Sequence, residues 1–375
     1  MLALRKGRFG WKVFWCTRTY IADWVASVLH IPGANANREN CSFVPGLGLA
    51  SDDLHHPSRE GGSQQSPMRE IMQIEALEPG RDVRNRLDDT VHRFSPAIPR
   101  LAGVTAGLAY LAPTTERPYN YMYEPPAGTA RQNCEYRVSP VWIKDARAMA
   151  SPPSIHAEGF ELWDAPTSVA DFADEDTIRS RYYPEAAELA KCVTAADHAY
   201  IFDHQVRLRE AGRPTLTFGR HGDGSRPGAA GRIHNDYSET SGQKRFESLA
   251  LDETVRTAAQ RFAIVNIWRS IGGKVVDTPL AVCDACSISV KDLVVGDLYY
   301  RDRSGELYLV QEAPRHRWAY FSEMDRNEAL VFKQYDSQVN GVARFTPHSA
   351  FDLPDIPPDA PLRQSIEIRC LVIYS

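Results

Sequence analysis

The tripeptide His234-Asn235-Asp236 places two metal-ligating residue types two positions apart. On a strand edge, a His and an Asp at this spacing can both turn toward one metal ion. A second His from elsewhere would complete a 2-His-1-carboxylate site, which leaves coordination positions open for oxygen chemistry at non-haem Fe(II). A chain with 11 histidines contains about one His-x-Asp sequence by chance. A second one is indeed present at His221-Gly222-Asp223. The surrounding residues must therefore show which of the two supplies metal ligands.

The two His-x-Asp sequences differ in what surrounds them. His221 and Asp223 lie in the glycine-rich stretch TFGRHGDGSRPGAAGR, and flexible glycine is a poor support for a metal site. His234 and Asp236 lie in GRIHNDYSE, at the start of a strand-rich region. We therefore predict that His234 and Asp236 are the metal ligands.

The third ligand would come from the far end of the strand-rich region, where two histidines are available. His348 lies in RFTPHSAF and His316 lies in APRHRWAYF. We favour His348 because Arg363-Gln364-Ser365 follows it and opens the last strand. An Arg fork can hold the distal carboxylate of 2-oxoglutarate, and a nearby hydroxyl can add a hydrogen bond. We expect His348 and Arg363 to lie on adjacent final strands.

Each of these residues also has a purely structural interpretation. His348 follows Pro347 and would then be a turn residue, while His316 would cap a hairpin between neighbouring polar residues. Arg363 would be a surface charge at the start of a strand. Lys333, in VFKQYDS, is an alternative cation for the carboxylate.

The elements that must position these side chains are mostly strands. The segment SVADFADEDTIRSRYYPEAAELAKCVTAA has acidic residues near its start and helical apolar spacing. HAYIFDHQVRLRE follows as a strand, and ALDETVRTAAQ is a second helical stretch. Strands rich in β-branched and aromatic residues then follow in FAIVNIWRSI, PLAVCDACSISV, GELYLVQEAP, RWAYFSEM, EALVFKQYDS and SIEIRCLVIYS.

A helical front half followed by a strand-rich back half predicts an α+β protein with a mainly antiparallel β core. The closure expected for so many short strands is a double-stranded β-helix, a jelly roll of the cupin-like kind, with helices packed outside. We assign residues 103–375 to this domain. Residues 1–102 are predicted to be an N-terminal extension, partly disordered or atypical, because residues 35–66 are rich in Asn, Ser, Gly and Pro.

Composition narrows the function classes. The chain has a net charge of -5 and a hydrophobic content of 43%, which gives no reason to expect a nucleic-acid or membrane partner. Seven cysteines, an odd number, argue for a reducing compartment, and we predict a cytoplasmic location. Cys283-x-x-Cys286 has no second pair at zinc-site spacing, so ordinary half-buried cysteines are the favoured interpretation.

The chain from about Thr105 to Tyr374 resembles the AsaB hydroxylase/desaturase family. The matching segments, in one order, are ERPYNYMYEPPAGTARQNCEY, RYYPEAAELAK, IFDHQVR, RIHNDYSE, IVNIWRSI, PLAVCD, HRWAYF, FKQYDS, ARFTPHSAF and RQSIEIRCLVIY. This family is similar to Fe(II)/2-oxoglutarate oxygenases with a double-stranded β-helix, and it hydroxylates or desaturates secondary metabolites. The resemblance thus implies Fe(II), 2-oxoglutarate and O2.

Position by position, the resemblance carries the metal-binding pattern to His234, Asp236 and His348. It carries the carboxylate-binding pattern to Arg363 and Ser365. His316 also matches a family segment, so the resemblance leaves the choice between the two histidines open. Cys286 departs from the pattern, which weakens any role for the two cysteines.

Three functions follow as hypotheses. The favoured one is a 2-oxoglutarate-dependent oxygenase acting on a small-molecule substrate, with Asn266 and Trp268 as pocket residues. The others are a metal-dependent enzyme that does not use 2-oxoglutarate and a non-catalytic accessory subunit. Tyr119, Tyr121 and Tyr123 could line a substrate lid, although a packed aromatic arm is the favoured interpretation. The sequence does not identify the substrate, and it is compatible with a homodimer.

Overall fold

The structure, a computed structural model, describes residues 92–93, 102–210 and 228–375. Most of the predicted N-terminal extension lies outside these ranges, as do His221 and Asp223 of the second His-x-Asp sequence. The predicted boundary between residues 102 and 103 stays a prediction. The backbone of His92–Arg93 pairs with a strand of the following domain.

Fifteen strands occur among the described residues. In chain order they are β1 (His92–Arg93), β2 (Gly103–Leu111), β3 (Tyr119–Tyr121), β4 (Tyr136–Asp145), β5 (Phe160–Asp164), β6 (His198–Leu208), β7 (His234–Asn235), β8 (Arg261–Ser270), β9 (Leu280–Cys283), β10 (Leu293–Tyr299), β11 (Ser304–Val310), β12 (Trp318–Tyr320), β13 (Glu328–Asp336), β14 (His348–Ala350) and β15 (Gln364–Tyr374). They form two sheets.

The smaller sheet has six strands in the order β1-β5-β13-β8-β15-β6, and all its neighbours are antiparallel. The larger sheet has nine strands in the order β2-β4-β12-β9-β14-β7-β11-β10-β3. Its pairs are antiparallel except β12 with β4 and β10 with β3. Two facing, mainly antiparallel sheets of this kind form the predicted double-stranded β-helix.

The helical elements of the described ranges are short. They are α1 (Glu175–Thr177), a π-helical turn (Ile178–Tyr182), α2 (Tyr183–Thr194), α3 (Glu239–Ser248), α4 (Glu253–Ala258) and the 3-10 turns Ala146–Ala148, Ala285–Ser287 and Val290–Asp292. Helix α2 buries Ala186, Leu189, Ala190 and Val193. These positions share one helix face, which belongs to the apolar cluster on the outer side of the six-stranded sheet. No described helix is long and apolar enough to cross a bilayer.

Strand β15 shows how the sheet separates an apolar layer from the site. Ile366, Ile368 and Cys370 belong to the same cluster as helix α2. Because side chains alternate along a strand, the intervening residues face the other sheet, where Ser365, Glu367 and Arg369 are polar. Apolar side chains fill the rest of the space between the sheets; they include Phe160, Leu162, Trp268, Leu330 and Phe332 from one sheet and Val282 and Ala319 from the other.

The strands predicted from the back half are confirmed, except that the strand in PLAVCDACSISV ends at Cys283 and a 3-10 turn follows it. The expectation of a helical front half is wrong. Strands β2, β4 and β5 precede the first helix, and β2 pairs with β4 along its whole length. Helix α3 was not predicted, because it buries only Gly242 and so carries no apolar stripe. A capping box on Ser238 and Ser241 starts this helix.

Candidate active site

His234, Asp236 and His348 come together between the two sheets. His234 in β7 lies directly opposite His348 in β14, and Asp236 is two residues beyond His234. One ligand atom of each residue lies within 4.8 Å of the others, and the two imidazole rings are 4.4 Å apart between centroids. Two imidazole nitrogens and one carboxylate oxygen form the donor set suited to non-haem Fe(II).

The backbone fixes the tautomer of His234. Its Nδ1 lies 2.7 Å from the carbonyl oxygen of Arg232, and a carbonyl only accepts hydrogen bonds, so Nδ1 carries the proton. The lone pair is then on Nε2, which lies 3.5 Å from Oδ1 of Asp236. Hydrogen bonding of the outer ring nitrogen to a carbonyl is the usual support of a metal-binding histidine.

His348 is held neutral by its surroundings. Burial lowers its pKa to about 3, although the charge of Asp236 opposes the shift. The ring of Phe332 packs edge-on at 4.8 Å between centroids. A neutral imidazole has a lone pair available for a metal ion.

The two carboxylate oxygens of Asp236 have different roles. Oδ2 accepts hydrogen bonds from Nδ2 of Asn266 and from Nε of Arg369, both at 2.8 Å, whereas Oδ1 faces His234. Burial alone would raise the pKa of Asp236, but the charge of Arg369 holds it well below its usual range. Asp236 is therefore an anion with one oxygen directed at the cluster.

Gln334 and Arg369 support the cluster and were missed by the sequence analysis. Oε1 of Gln334 accepts the backbone N–H of Asp236 at 2.7 Å, and its Nε2 donates to the carbonyl of Thr346 at 3.0 Å. Arg369 also donates to Asp203 and Glu367, at 2.9 and 3.0 Å. These carboxylates, with Asp236, raise the pKa of Arg369 although burial alone would lower it.

Arg363 and Ser365 lie on the same inward-facing row, and both have unused polar atoms. Nη1 of Arg363 donates to the carbonyl of Thr278 at 2.9 Å, but its Nε and the Ser365 hydroxyl are buried without a hydrogen-bond partner. The Arg363 guanidinium lies 5.7 Å from the centroid of the Trp268 ring, and burial lowers its pKa to about 9. Buried donors without partners are rare and point to a ligand.

One expectation about these strands needs correction. In folds of this kind, His348 and Arg363 were expected on adjacent final strands. Instead β14 and β15 are consecutive in the chain but lie in opposite sheets, because β14 pairs with β9 and β7 whereas β15 pairs with β6 and β8. The two residues therefore approach the site from opposite sides.

The structure does not bring His316 or Lys333 to the cluster. Both ring nitrogens of His316 have protein partners at 3.1 Å, the hydroxyl of Tyr110 and Oδ2 of Asp292. Lys333 donates to Oδ2 of Asp336 at 2.7 Å, with both side chains fully buried. Lys333 faces the outer side of its sheet, since its cross-strand neighbour Val265 belongs to the cluster packed on helix α2.

The tyrosines and cysteines singled out in the sequence lie elsewhere. Tyr119, Tyr121 and Tyr123 pack edge to face, at 5.7 and 5.5 Å between successive rings, and form the packed aromatic arm. Cys283 is buried and Cys286 is exposed, and both thiols are free.

A cavity of about 530 Å³ opens onto the cluster. Its lining contains His234, Asp236 and Arg369, together with residues of helix α3 and of the β10–β11 hairpin. The candidate metal ligands His234 and Asp236 thus line a cavity large enough for a small organic molecule.

Comparison with known proteins identifies relatives of the domain that contains this site. Residues 108–373 match the family model described as "Oxidoreductase/YMDC permease-like domain". The chain is 30% identical over 292 residues to hydroxylase/desaturase efuI of Hormonema carpetanum, covering 71% of this chain and 97% of that protein. It is also 30% identical to Fe(II)/2-oxoglutarate-dependent dioxygenase nvfI of Aspergillus novofumigatus, covering 70% and 92%.

A solved structure supports the same comparison. The iron and alpha-ketoglutarate-dependent endoperoxidase NvfI matches with a TM-score of 0.64 and 25% identity, and the match covers 74% of this chain and 100% of that one.

Proposed function

Because the chain belongs to the hydroxylase/desaturase family of Fe(II)- and 2-oxoglutarate-dependent oxygenases, we propose that His234, Asp236 and His348 bind its iron. The support is the meeting of these three side chains within 4.8 Å. The donor set fits Fe(II), because it combines two imidazoles with one carboxylate and leaves further coordination positions for a co-substrate and oxygen.

Arg363 and Ser365 are the proposed site for the distal carboxylate of 2-oxoglutarate. The observation that carries this proposal is the pair of buried donors without partners, Nε of Arg363 and the hydroxyl of Ser365. A carboxylate would satisfy both donors and would also compensate the buried guanidinium charge. An iron enzyme that does not use 2-oxoglutarate would leave these donors unexplained.

When bound, the iron supplies oxidation of an unactivated C–H bond by O2, coupled to decarboxylation of 2-oxoglutarate. The chain positions the reacting groups. The Arg232 carbonyl fixes the tautomer of His234, and Arg369 and Asn266 hold one oxygen of Asp236 away from the metal side. His348 is buried, with 3% of its surface exposed.

The substrate is a small secondary metabolite that enters through the cavity beside helix α3 and is hydroxylated or desaturated. The named relatives support this class of substrate, since they include hydroxylase/desaturases and dioxygenases of fungi. Both outcomes begin with the removal of one hydrogen atom, so the substrate's position in the cavity decides between them.

Iron content tests the metal ligands. Purified His348→Ala loaded anaerobically with Fe(II) should retain little iron, because one of three protein ligands is lost, whereas His316→Ala should retain a wild-type amount. Iron is measured by mass spectrometry after gel filtration, with circular dichroism to verify folding. Iron loss in His316→Ala with retention in His348→Ala would reverse the assignment of the third ligand.

Equilibrium dialysis with 2-oxoglutarate tests the carboxylate site. Arg363→Gln should raise the Kd about 10- to 100-fold, as expected for a lost charge-assisted hydrogen bond, while iron content stays unchanged. Lys333→Met should leave the Kd unchanged, because Lys333 faces away from the site. The opposite pattern would make Lys333 the co-substrate cation.

A further inference from the structure

Helix α3 presents a positively charged face to the cavity beside the iron site. Ser241, Lys244, Arg245 and Ser248 all line this cavity. They are spaced i, i+3, i+4 and i+7, so they share one face of the helix. The basic residues of helix α3 thus line the cavity, whereas none of its acidic residues does.

The acidic residues of helix α3 are directed to other partners. Glu239 accepts hydrogen bonds from the Tyr335 hydroxyl at 3.0 Å and from Arg344 at 2.9 Å. Glu247 accepts one from Gln243 at 3.1 Å on the helix surface. Neither carboxylate compensates Lys244 or Arg245.

The carboxylates of the cavity wall are already paired. Asp236 and Asp203 both accept from Arg369, and Arg117 pairs with Asp297 at 2.6 Å and with Glu306 at 2.7 Å. The cavity nevertheless has an excess of two positive charges, because its lining contains four carboxylates and six cations, which are Arg117, Arg207, Lys244, Arg245, Arg303 and Arg369.

The cations, in contrast, lack anionic partners within the described part of the chain. Lys244 and Arg303 are exposed and have no ion pair there, and the Arg303 guanidinium lies over the ring of Tyr300 at 4.2 Å. Half-buried Arg245 lies over the ring of Phe202 at 4.8 Å, and its Nε is buried without a hydrogen-bond partner. A concave site with uncompensated cations favours an anionic ligand.

We propose that the substrate is a carboxylic acid, whose carboxylate binds Lys244 and Arg245 of helix α3 while its reacting carbon lies at the metal cluster. The inference rests on the proposed function, because it assigns a substrate class to the same cavity. Arg245 lines the cavity, and a guanidinium has the fork geometry that matches a carboxylate. Arg303 adds positive charge from the β10–β11 side.

The test uses matched acids and amides. Protein loaded anaerobically with Fe(II) and saturating 2-oxoglutarate is dialysed to equilibrium against naphthalene-2-carboxylate and abietate, and against the primary carboxamide of each. At least one acid should bind about tenfold or more tightly than its amide, as expected for charge-assisted hydrogen bonds. The double variant Lys244→Gln/Arg245→Gln should lose this preference.

The control variant is Lys274→Gln, which removes a charge at the surface, where Lys274 pairs with Glu323. It should keep the preference for acids. Equal binding of acid and amide, binding of neither, or a preference that persists in the double variant would overturn the inference. Iron and 2-oxoglutarate retention are measured in the same samples. Their absence from wild-type protein would overturn the proposed function itself, whereas normal retention without acid preference overturns the substrate class alone.

Discussion

The carboxylate of Asp236 connects several side chains of this site. One of its oxygens receives two donors, Asn266 and Arg369, and the other remains on the side of the histidines. Arg369 in turn joins Asp236 to Asp203 and Glu367. The guanidinium therefore both orients a proposed metal ligand and contacts three carboxylates around it.

Replacing Arg369 should weaken iron binding without removing a ligand. In Arg369→Met, the buried Asp236 and Glu367 lose their compensating charge, which we expect to cost about 3–5 kcal/mol of stability. Iron affinity should fall about 10- to 100-fold, as for other groups that orient metal ligands. Titration with Fe(II) and urea unfolding measure the two effects; unchanged iron affinity in folded Arg369→Met would show that Arg369 does not position Asp236.

The sequence predicts the residues of this site whose chemistry is specific, but not those that support them. His234, Asp236, His348, Arg363 and Ser365 were identified from residue type, order and the family-like segments. Gln334 and Arg369 were missed, because a Gln and an Arg in apolar strands have many structural uses. One signal was available: in RQSIEIRCLVIY, polar residues alternate with apolar ones, which marks one face of the strand.

At the scale of elements, short strands place the cluster and tight backbone contacts maintain it. Strands β7 and β14 contribute only two and three residues, and the segment before His348 is held by Gly159. The Gly159 carbonyl accepts the Thr346 hydroxyl at 3.1 Å and the backbone N–H of Lys333 at 2.8 Å. Gly159 has a φ of +90°, and an added Cβ would lie 2.2 Å from Oγ1 of Thr346.

Gly159→Ala should therefore destabilise the protein by more than about 1 kcal/mol and weaken iron binding, because Thr346 is two residues from His348. Gly128→Ala is the matched control, since Gly128 also has a positive φ, of +80°, but no atom within 4 Å of the added Cβ. Urea unfolding and Fe(II) titration of both variants separate the effect of the positive φ from the effect of the contact with Thr346. Equal effects in both variants would mean that the contact with Thr346 is unimportant.

The elements themselves were predicted where apolar alternation or helical periodicity is strong, as in β8, β13, β15 and α2. The pairing of the strands was not predicted, because local sequence patterns do not show which sheet a strand joins. Strand β4 was missed for a local reason: Val138 and Trp142 are half exposed, at 50% and 55%, and Pro140 interrupts the run. An exposed strand with an internal proline resembles a loop in sequence.

At the scale of the whole molecule, a second buried charge network stabilises the fold on the outer side of the six-stranded sheet. Asp336 binds Lys333 at 2.7 Å and Arg261 at 2.6 Å, and the Lys333 and Asp336 side chains are fully buried. Burial alone would raise the pKa of Asp336, but the hydrogen bond with Arg261 and the charge of Lys333 lower it. This network provides stability rather than chemistry.

Asp336→Asn should cost about 3–5 kcal/mol at neutral pH, because it leaves buried Lys333 without its anion. The pKa of Asp336 is lower in the folded state than the unfolded value of about 3.9. Its contribution is therefore fully present above that value and is lost as the pH falls through the folded pKa. Urea unfolding at pH 7 and at successively lower pH should show the difference between wild type and Asp336→Asn shrinking; a constant difference would contradict the assignment.

The most direct test of the central claim is an anaerobic crystal structure with Fe(II) and 2-oxoglutarate, in which anomalous scattering locates the iron. We expect one iron peak bound by a nitrogen of His234, a nitrogen of His348 and Oδ1 of Asp236, with the distal carboxylate of 2-oxoglutarate on Arg363 and Ser365. An iron peak at His316, or a carboxylate bound elsewhere while the Nε of Arg363 and the hydroxyl of Ser365 remain unpaired, would contradict this account.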